Sequence, residues 1–344
     1  MKLCIITNHK DKSHINDSQV HDRLITTLGL TPKDVFNLSD VNSVYHVNNE
    51  YTHALILLDY NVTTIVPHKN YFEELNLPKI FIIESIVEYH KVINIHFSKE
   101  ILKSTHINPL GLSVEHQSFL YKEYADAFIF YNGKDVDLFN TYYPDIGEQP
   151  IYVIPPSLGE EKDIKVNFDY FSPNKNLGFN GEPSYANGML EISEALFSTS
   201  EYSLNIYGNH GRIPTNTQTL LNSITQKNKN IRFKGRVNIN NKFYLENHIY
   251  CNTSIYSSFN YSTFTSLLNG VTPLISNLSG EVEFFPSYPF ITKLDPLSIR
   301  NTLSNISNTP PEQLKDILNS ATNNLIELND NNSKEHYYKF LNSI

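Results

Sequence analysis

A chain of 344 residues, 40% hydrophobic and 18% charged, is long enough for two domains that each bury a core, and its composition excludes a disordered or fibrous protein. The formal net charge of -9 repels polyanions on average, so a nucleic-acid partner would have to meet a local basic patch. Cys4 and Cys251 give neither a disulfide framework nor a zinc spacing, and no apolar run approaches the roughly 18 residues of a membrane span. The expectation is a cytoplasmic protein without a metal site: Met1–Thr7 is too short for a signal peptide, and His9, His14, His96 and His116 are scattered.

Lys2–Thr7 reads as a buried opening strand, followed by a polar loop to Asp17 and a helix over Ser18–Leu28. The runs Ala54–Asp59 and Ile80–Glu84 are continuously apolar and end in an acid, as parallel strands covered on both faces do. Each brings a carboxylate to the same sheet edge. A helix over Glu115–Tyr124 precedes a strand over Ala127–Tyr131, a helix from Asn132 that stops at Tyr143-Pro144, and a strand over Ile151–Ile154 closed by Pro155-Pro156. This alternation predicts a Rossmann-like α/β domain over residues 1–156, and the irregular polar stretch 157–175 reads as a linker.

A second α/β unit follows over 176–330. Its expected strands are Asn176–Asn180, Ser203–Tyr207 and Ile231–Lys234, and its expected helices Gly188–Phe197, Thr217–Thr225 and Lys242–His248. Cys251–Gly280 is the stretch on which this unit turns: a strand over Thr253–Tyr256, the polar loop Ser257–Thr263, a short helix over Phe264–Leu268 and a strand opening at Pro273. A helix over Pro310–Leu328 and a Tyr-rich helix over Ser333–Leu341 end the chain, with 331–344 expected to dock on the first domain.

Several residues have the chemistry of a site. Arg212, on a loop flanked by Gly208, Asn209 and Gly211, suits bidentate contact with a diphosphate; Arg236 and Lys234 lie on the next loop. Tyr261, Ser262, Thr263 and Thr265 open a helix, where hydroxyls and N–H groups can meet a phosphate or simply cap the helix. Tyr207 and Tyr256 suit either stacking on a base or packing beside their strands. In the first domain Asp59, Glu84, Glu88 and His90 stand after strands, where a carboxylate or imidazole can accept a proton, although a helix cap or a solvated surface acid is the commoner role of such residues.

The succession Gly178–Gly181, Asn187-Gly188, Ile206–Gly208, Ile231–Val237, Tyr250–Tyr256 and Leu267–Pro273 resembles the GT-B glycosyltransferases. Tyr207-Gly208-Asn209 with Arg212, the turns Asn260-Tyr261-Ser262 and Gly270–Pro273, and Ala125–Phe130 with Tyr142-Tyr143-Pro144 resemble the DNA glycosyltransferases of T-even-type phages within that group. The resemblance implies an α/β protein of two facing Rossmann-like domains with parallel sheets, the first binding the acceptor and the second the donor. It implies a monomer that takes a hexose or pentose from a nucleotide diphosphate sugar, a UDP-sugar foremost. The implied acceptor is 5-hydroxymethylcytosine in double-stranded DNA, flipped from the stack.

The chain departs from the GT-B pattern where an Arg and a Lys usually neutralise the donor diphosphate, since Glu182 and Asn187 stand there. Ser257 and Thr265 occupy the places of two usual Glu residues. Either Arg212, Arg236 and Lys234 take over the phosphate charge, or the donor differs, or the chain is a non-catalytic GT-B binding subunit; a transferase of bacterial surface glycans or lipid-linked sugars, with Phe97–His106 as a weak membrane-contact segment, is a separate alternative.

Overall fold

A computed structural model describes residues 1–7, 19–58, 66–83, 119–146, 148–181, 187–197, 199, 201–208, 222, 226, 228–235 and 241–344. The described residues form two compact units, one drawn from Met1–Val92, Ile107–Glu161 and Leu328–Ile344, the other from Lys162–Glu327.

The first unit is a parallel sheet in the order β2-β1-β3-β4-β5-β6, formed by β1 (Leu3–Thr7), β2 (Val35–Asn37), β3 (His53–Leu57), β4 (Lys79–Ile83), β5 (Ala127–Phe130) and β6 (Ile151–Val153). Helices α1 (Gln19–Leu28), α2 (Ser43–Glu50), α3 (Val66–Glu74) and α4 (Gly133–Tyr142) connect the strands. The apolar runs of β1 and β5 are buried at every position, as strands between two helical layers must be. The core under α4 is aromatic: the Phe139 ring lies 5.0 Å from both Phe128 and Tyr143, and Tyr121 meets Phe128 edge-on at 5.7 Å. Asn132 caps α4 by accepting from the Asp135 N–H, which sets the helix start one residue after the polar opening.

The second unit is a parallel sheet in the order β12-β11-β10-β7-β8-β9. Its strands are β7 (Asn176–Asn180), β8 (Ser203–Tyr207), β9 (Ile231–Phe233), β10 (Ile249–Asn252), β11 (Thr272–Ser276) and β12 (Ile291–Thr292). Helices α5 (Met189–Phe197), α6 (Asn241–Glu246), α7 (Tyr261–Leu268), α8 (Pro296–Asn308) and α9 (Pro311–Asn323) belong to it. Pro273 sits inside β11 without breaking the ladder. Thr272 donates to His248 on the β10 side, so the missing Pro273 N–H would face β12, which pairs only from Ile275 onward.

The strand expected over Thr253–Tyr256 lies four residues earlier, at Ile249–Asn252, and 253–260 is loop. The Thr253 hydroxyl donates to the Asn187 carbonyl at 2.9 Å instead of leaving its segment free to extend the ladder. Helix α7 likewise starts at Tyr261 because Asn260 caps it. The single helix expected over Pro310–Leu328 is shorter, ending at Asn323.

The last helix, α10 (Asp330–Leu341), packs on α1 within the first unit. Thr27 Oγ1 donates to Asp330 Oδ1 at 2.9 Å, the Asp330 N–H donates to the Gly159 carbonyl at 2.9 Å, and the Tyr152 and Phe340 rings meet at 4.0 Å. Among the described residues no helix is long and apolar enough to cross a membrane.

Candidate functional site

In the second sheet the chain proceeds from β7 to β8 and β9 on one side, then returns to β10, β11 and β12 on the other. Strands β7 and β10 therefore flank the topological switch. Beyond the carboxyl ends of such a pair the following connections diverge to opposite sides, and the opening between them is where open parallel sheets take their ligands.

What lines this edge follows from the ends of the two strands. Beyond β7 the chain reaches Asn187 and Gly188, and Gly188 has φ +66. A Cβ at Gly188 would stand 2.0 Å from the Thr253 carbonyl oxygen, so the turn before α5 lies directly on the end of β10. Asn187 is held there: its carbonyl accepts from Thr253, and its Oδ1 accepts from the Ser254 hydroxyl at 3.3 Å. Asn187 thus serves as a staple between β7 and β10.

Asn252, at the end of β10, is 1% exposed. Its Nδ2 donates to Thr263 Oγ1 at 3.0 Å and to Ser279 Oγ at 3.2 Å, while its Oδ1 has no partner among the described residues. Loop 253–260 then delivers Asn260, whose Oδ1 accepts from the Ser262 N–H at 2.9 Å and caps α7. From β7, Asn180 Nδ2 donates to Ser262 Oγ at 3.2 Å. Hydroxyls and amides of β7, β10 and the first turn of α7 are joined in this way at the positive end of the α7 dipole.

A carboxylate lies beneath them. Glu281, just after β11, is 0% exposed and accepts from Ser257 Oγ at 2.8 Å, from the Asn260 N–H and from Ser279 Oγ. Burial pushes its carboxyl up, against the lowering pull of the Ser279 and Ser257 hydroxyls and of the backbone N–H groups.

Of the residues singled out from sequence, Ser262 and Thr263 meet at this edge. Tyr261 is buried edge-on against Phe259 at 5.0 Å. Thr265 turns its hydroxyl back to the Tyr261 carbonyl at 2.9 Å, within its own helix. Gly208 is buried after β8, with its N–H donating to the Gly235 carbonyl at 3.1 Å. Tyr207 packs on Phe243, and Lys234 lies 3.5 Å from the Glu246 carboxylate. Asn209, Arg212, Arg236 and Glu182 of the second unit, and Asp59, Glu84, Glu88 and His90 of the first, lie outside the described residues. Among the described residues no cluster of His, Cys, Asp and Glu could hold a metal ion.

Glu281, Asn180 and Asn252 were not singled out. Glu281 carries no signal in the sequence: it stands beyond the turn Asn277–Gly280, not at the end of an apolar run as Asp59 and Glu84 do.

No family model matches the sequence, and no curated protein does. Solved structures match it from end to end. HepE of Anabaena, in complex with UDP and glucose, superposes with a TM-score of 0.70 at 13% identity, covering 100% of both chains. A sucrose-phosphate synthase from Thermosynechococcus elongatus gives a TM-score of 0.71 at 11% identity, over 99% of this chain and 98% of that one. A UDP-forming alpha,alpha-trehalose-phosphate synthase from Burkholderia xenovorans, in complex with glucose-6-phosphate, gives 0.68 at 10% identity, over 99% and 100%. With two six-stranded parallel sheets in Rossmann-like order and a match over its whole length, the chain has the GT-B fold.

Proposed function

We propose that this chain is a glycosyltransferase that takes a sugar from a UDP-sugar and places it on a hydroxyl of a carbohydrate acceptor. The observation that carries this reading is the end-to-end likeness to GT-B structures, among them HepE with bound UDP-glucose and the UDP-forming trehalose-phosphate synthase. The edge between β7 and β10 supports it, being made of hydroxyls and amides at the start of α7, a suitable environment for the uncharged and phosphate parts of a nucleotide.

In the reaction the bond between the sugar C1 and the diphosphate oxygen breaks and the acceptor oxygen bonds to C1. The acceptor proton passes to a base, and UDP leaves. The α7 dipole and the hydroxyls at its start stabilise the charge that collects on the leaving diphosphate. Arg212 and Arg236, which follow β8 and β9 in the chain, are the cations we assign to that charge, with Gly208 and Asn209 preceding Arg212; Asp59, Glu84, Glu88 and His90 are the residues from which we expect the base.

A carbohydrate acceptor agrees with sucrose-phosphate synthase and trehalose-phosphate synthase among the neighbours. Hydroxymethylcytosine DNA, implied by the short phage-enzyme likenesses, has no counterpart among those neighbours, and the net charge of -9 works against it. The test incubates the purified protein with a panel of UDP-sugars and with sugars, sugar phosphates, glycans and hydroxymethylcytosine DNA, reading UDP release and the mass of the acceptor. Acceptor-dependent UDP release with a hexose or pentose added to a carbohydrate is the expected result. Sugar on the modified base would move the acceptor to DNA, and neither UDP binding nor release with any donor would sink the enzyme reading.

A further inference from the structure

We infer that Glu281 is a positioning residue of the donor site, holding loop 253–260 and the first turn of α7 in the conformation that meets the UDP moiety. The inference rests on the glycosyltransferase reading. Its basis is the direction of the hydrogen bonds. The two Glu281 carboxylate oxygens accept from the Ser257 hydroxyl, the Asn260 N–H and the Ser279 hydroxyl, so all three donors are turned toward it.

The Ser257 hydroxyl gives its proton to Glu281 at 2.8 Å, which leaves its lone pairs for other partners. The Asn260 N–H is also consumed by Glu281, and the Asn260 side chain remains free to cap Ser262. Ser279 donates to Glu281 and can therefore accept from Asn252 Nδ2, which at the same time donates to Thr263. One carboxylate thus sets the polarity of a chain of bonds running from the turn after β11, through the end of β10, to the first turn of α7. The backbone adds a further tie, with the Gly280 N–H donating to the Ser257 carbonyl at 2.7 Å.

Packing alone does not call for this. A fully buried carboxylate is costly unless it is well bonded, and an apolar side chain of similar volume is often as stable or more so. The charge is useful where the orientation of its neighbours matters. Here the neighbours are the loop and helix start at the switch between β7 and β10.

The test compares Glu281→Gln and Glu281→Ala with the wild type by calorimetric titration of UDP, donor KM against kcat for UDP release, and hydrogen exchange of peptides spanning 253–264. Asn247→Ala, in a buried polar cluster away from this edge, serves as a control for lost stability. We expect Glu281→Ala to weaken UDP about tenfold and raise donor KM, with faster exchange in 253–264. Glu281→Gln, which keeps the shape and one accepting oxygen, should recover part of the affinity. Asn247→Ala should lower the melting temperature and leave UDP affinity as it was. If Glu281→Ala does not fold, the comparison of Glu281→Gln with wild type carries the test. Glutamate variants that bind UDP as the wild type does, or that lose only as much as the Asn247 control, overturn the positioning role and leave the enzyme reading standing. A wild type that binds no UDP and releases none overturns the enzyme reading, and this inference with it.

Discussion

Among its described residues the second unit buries two polar clusters, and they lie at different places in its sheet. One lies beneath α6: Asn205 Nδ2 donates to Asn247 Oδ1 at 2.8 Å, Asn247 Nδ2 donates to the Tyr207 hydroxyl at 3.0 Å, and that hydroxyl donates to Glu246 at 2.9 Å. Burial pushes the Tyr207 phenol up to about 12, so it stays protonated and remains a donor to Glu246. The other cluster is the carboxyl edge around Asn180, Asn252, Ser262, Thr263, Ser279 and Glu281. The first seats a helix on the face of a sheet; the second joins loops beyond the strand ends, at the switch. Burial and polarity alone do not separate a site from a structural network. Position in the sheet topology does.

Substitutions that break one cluster and spare the other test this. The largest effect should come from Gly188→Ala. The new Cβ would meet the Thr253 carbonyl at 2.0 Å, and φ +66 is unfavourable for alanine, so the turn must leave the end of β10. We expect a loss of about 4 kcal/mol in urea unfolding, or failure to accumulate folded protein.

Next is acid. His248, just before β10, is 4% exposed, its Nδ1 has no partner among the described residues, and burial lowers its pKa to about 4. The unfolded chain binds the proton more readily than the folded one between the ordinary histidine value of 6.5 and about 4. Stability is therefore fully present above about pH 6.5 and falls as the pH drops toward 4, by up to about 3 kcal/mol. Urea unfolding as a function of pH should show this slope in the wild type and a flatter one in His248→Leu; equal slopes would remove His248 as the cause.

Gly178→Ala should follow, at about 2 kcal/mol. Its Cβ would stand 2.7 Å from Phe243 Cζ and 2.9 Å from Asn247 Cγ, so α6 would have to lift from β7. Thermal unfolding should report the loss, with UDP affinity unchanged because the carboxyl edge is not touched.

These clusters also show what sequence could and could not reveal. The strands β7 and β8 fall on the expected residues, Asn176–Asn180 and Ser203–Tyr207, because Leu177 and Phe179, and Leu204 and Ile206, alternate at the period of a strand. The strand at β10 is displaced from the expected Thr253–Tyr256 because β-branched and aromatic residues there satisfy strand propensity, yet the Thr253 and Ser254 hydroxyls bond to Asn187, at a separation of 66 and 67 residues. Helix α8 was not anticipated, although Asp295-Pro296 is a good start signal and Asp295 caps it. At the edge, Ser262 and Thr263 were visible as hydroxyls at a helix start. Asn180 was not, since its partner Ser262 lies 82 residues away and only the return of the chain to β10 beside β7 brings them together. Local chemistry is legible in sequence; partnership across a crossover is not.

Ser262→Ala should have the smallest effect on stability and the sharpest meaning. The hydroxyl accepts from Asn180 at 3.2 Å and bonds to the Tyr250 hydroxyl, and the backbone N–H that Asn260 caps is unchanged by the substitution. Alanine is also the better helix former, which offsets part of the loss, so the net change should be under about 1 kcal/mol. At nearly constant stability, UDP affinity becomes a direct reading of what the edge is for. If the edge meets the donor, losing this hydroxyl and freeing Asn180 should weaken UDP about threefold to tenfold and raise donor KM more than it lowers kcat. If affinity and KM both stay at wild-type values, the edge is a second structural network of the α6 kind, and the donor must be sought on the segments that follow β8 and β9 in the chain.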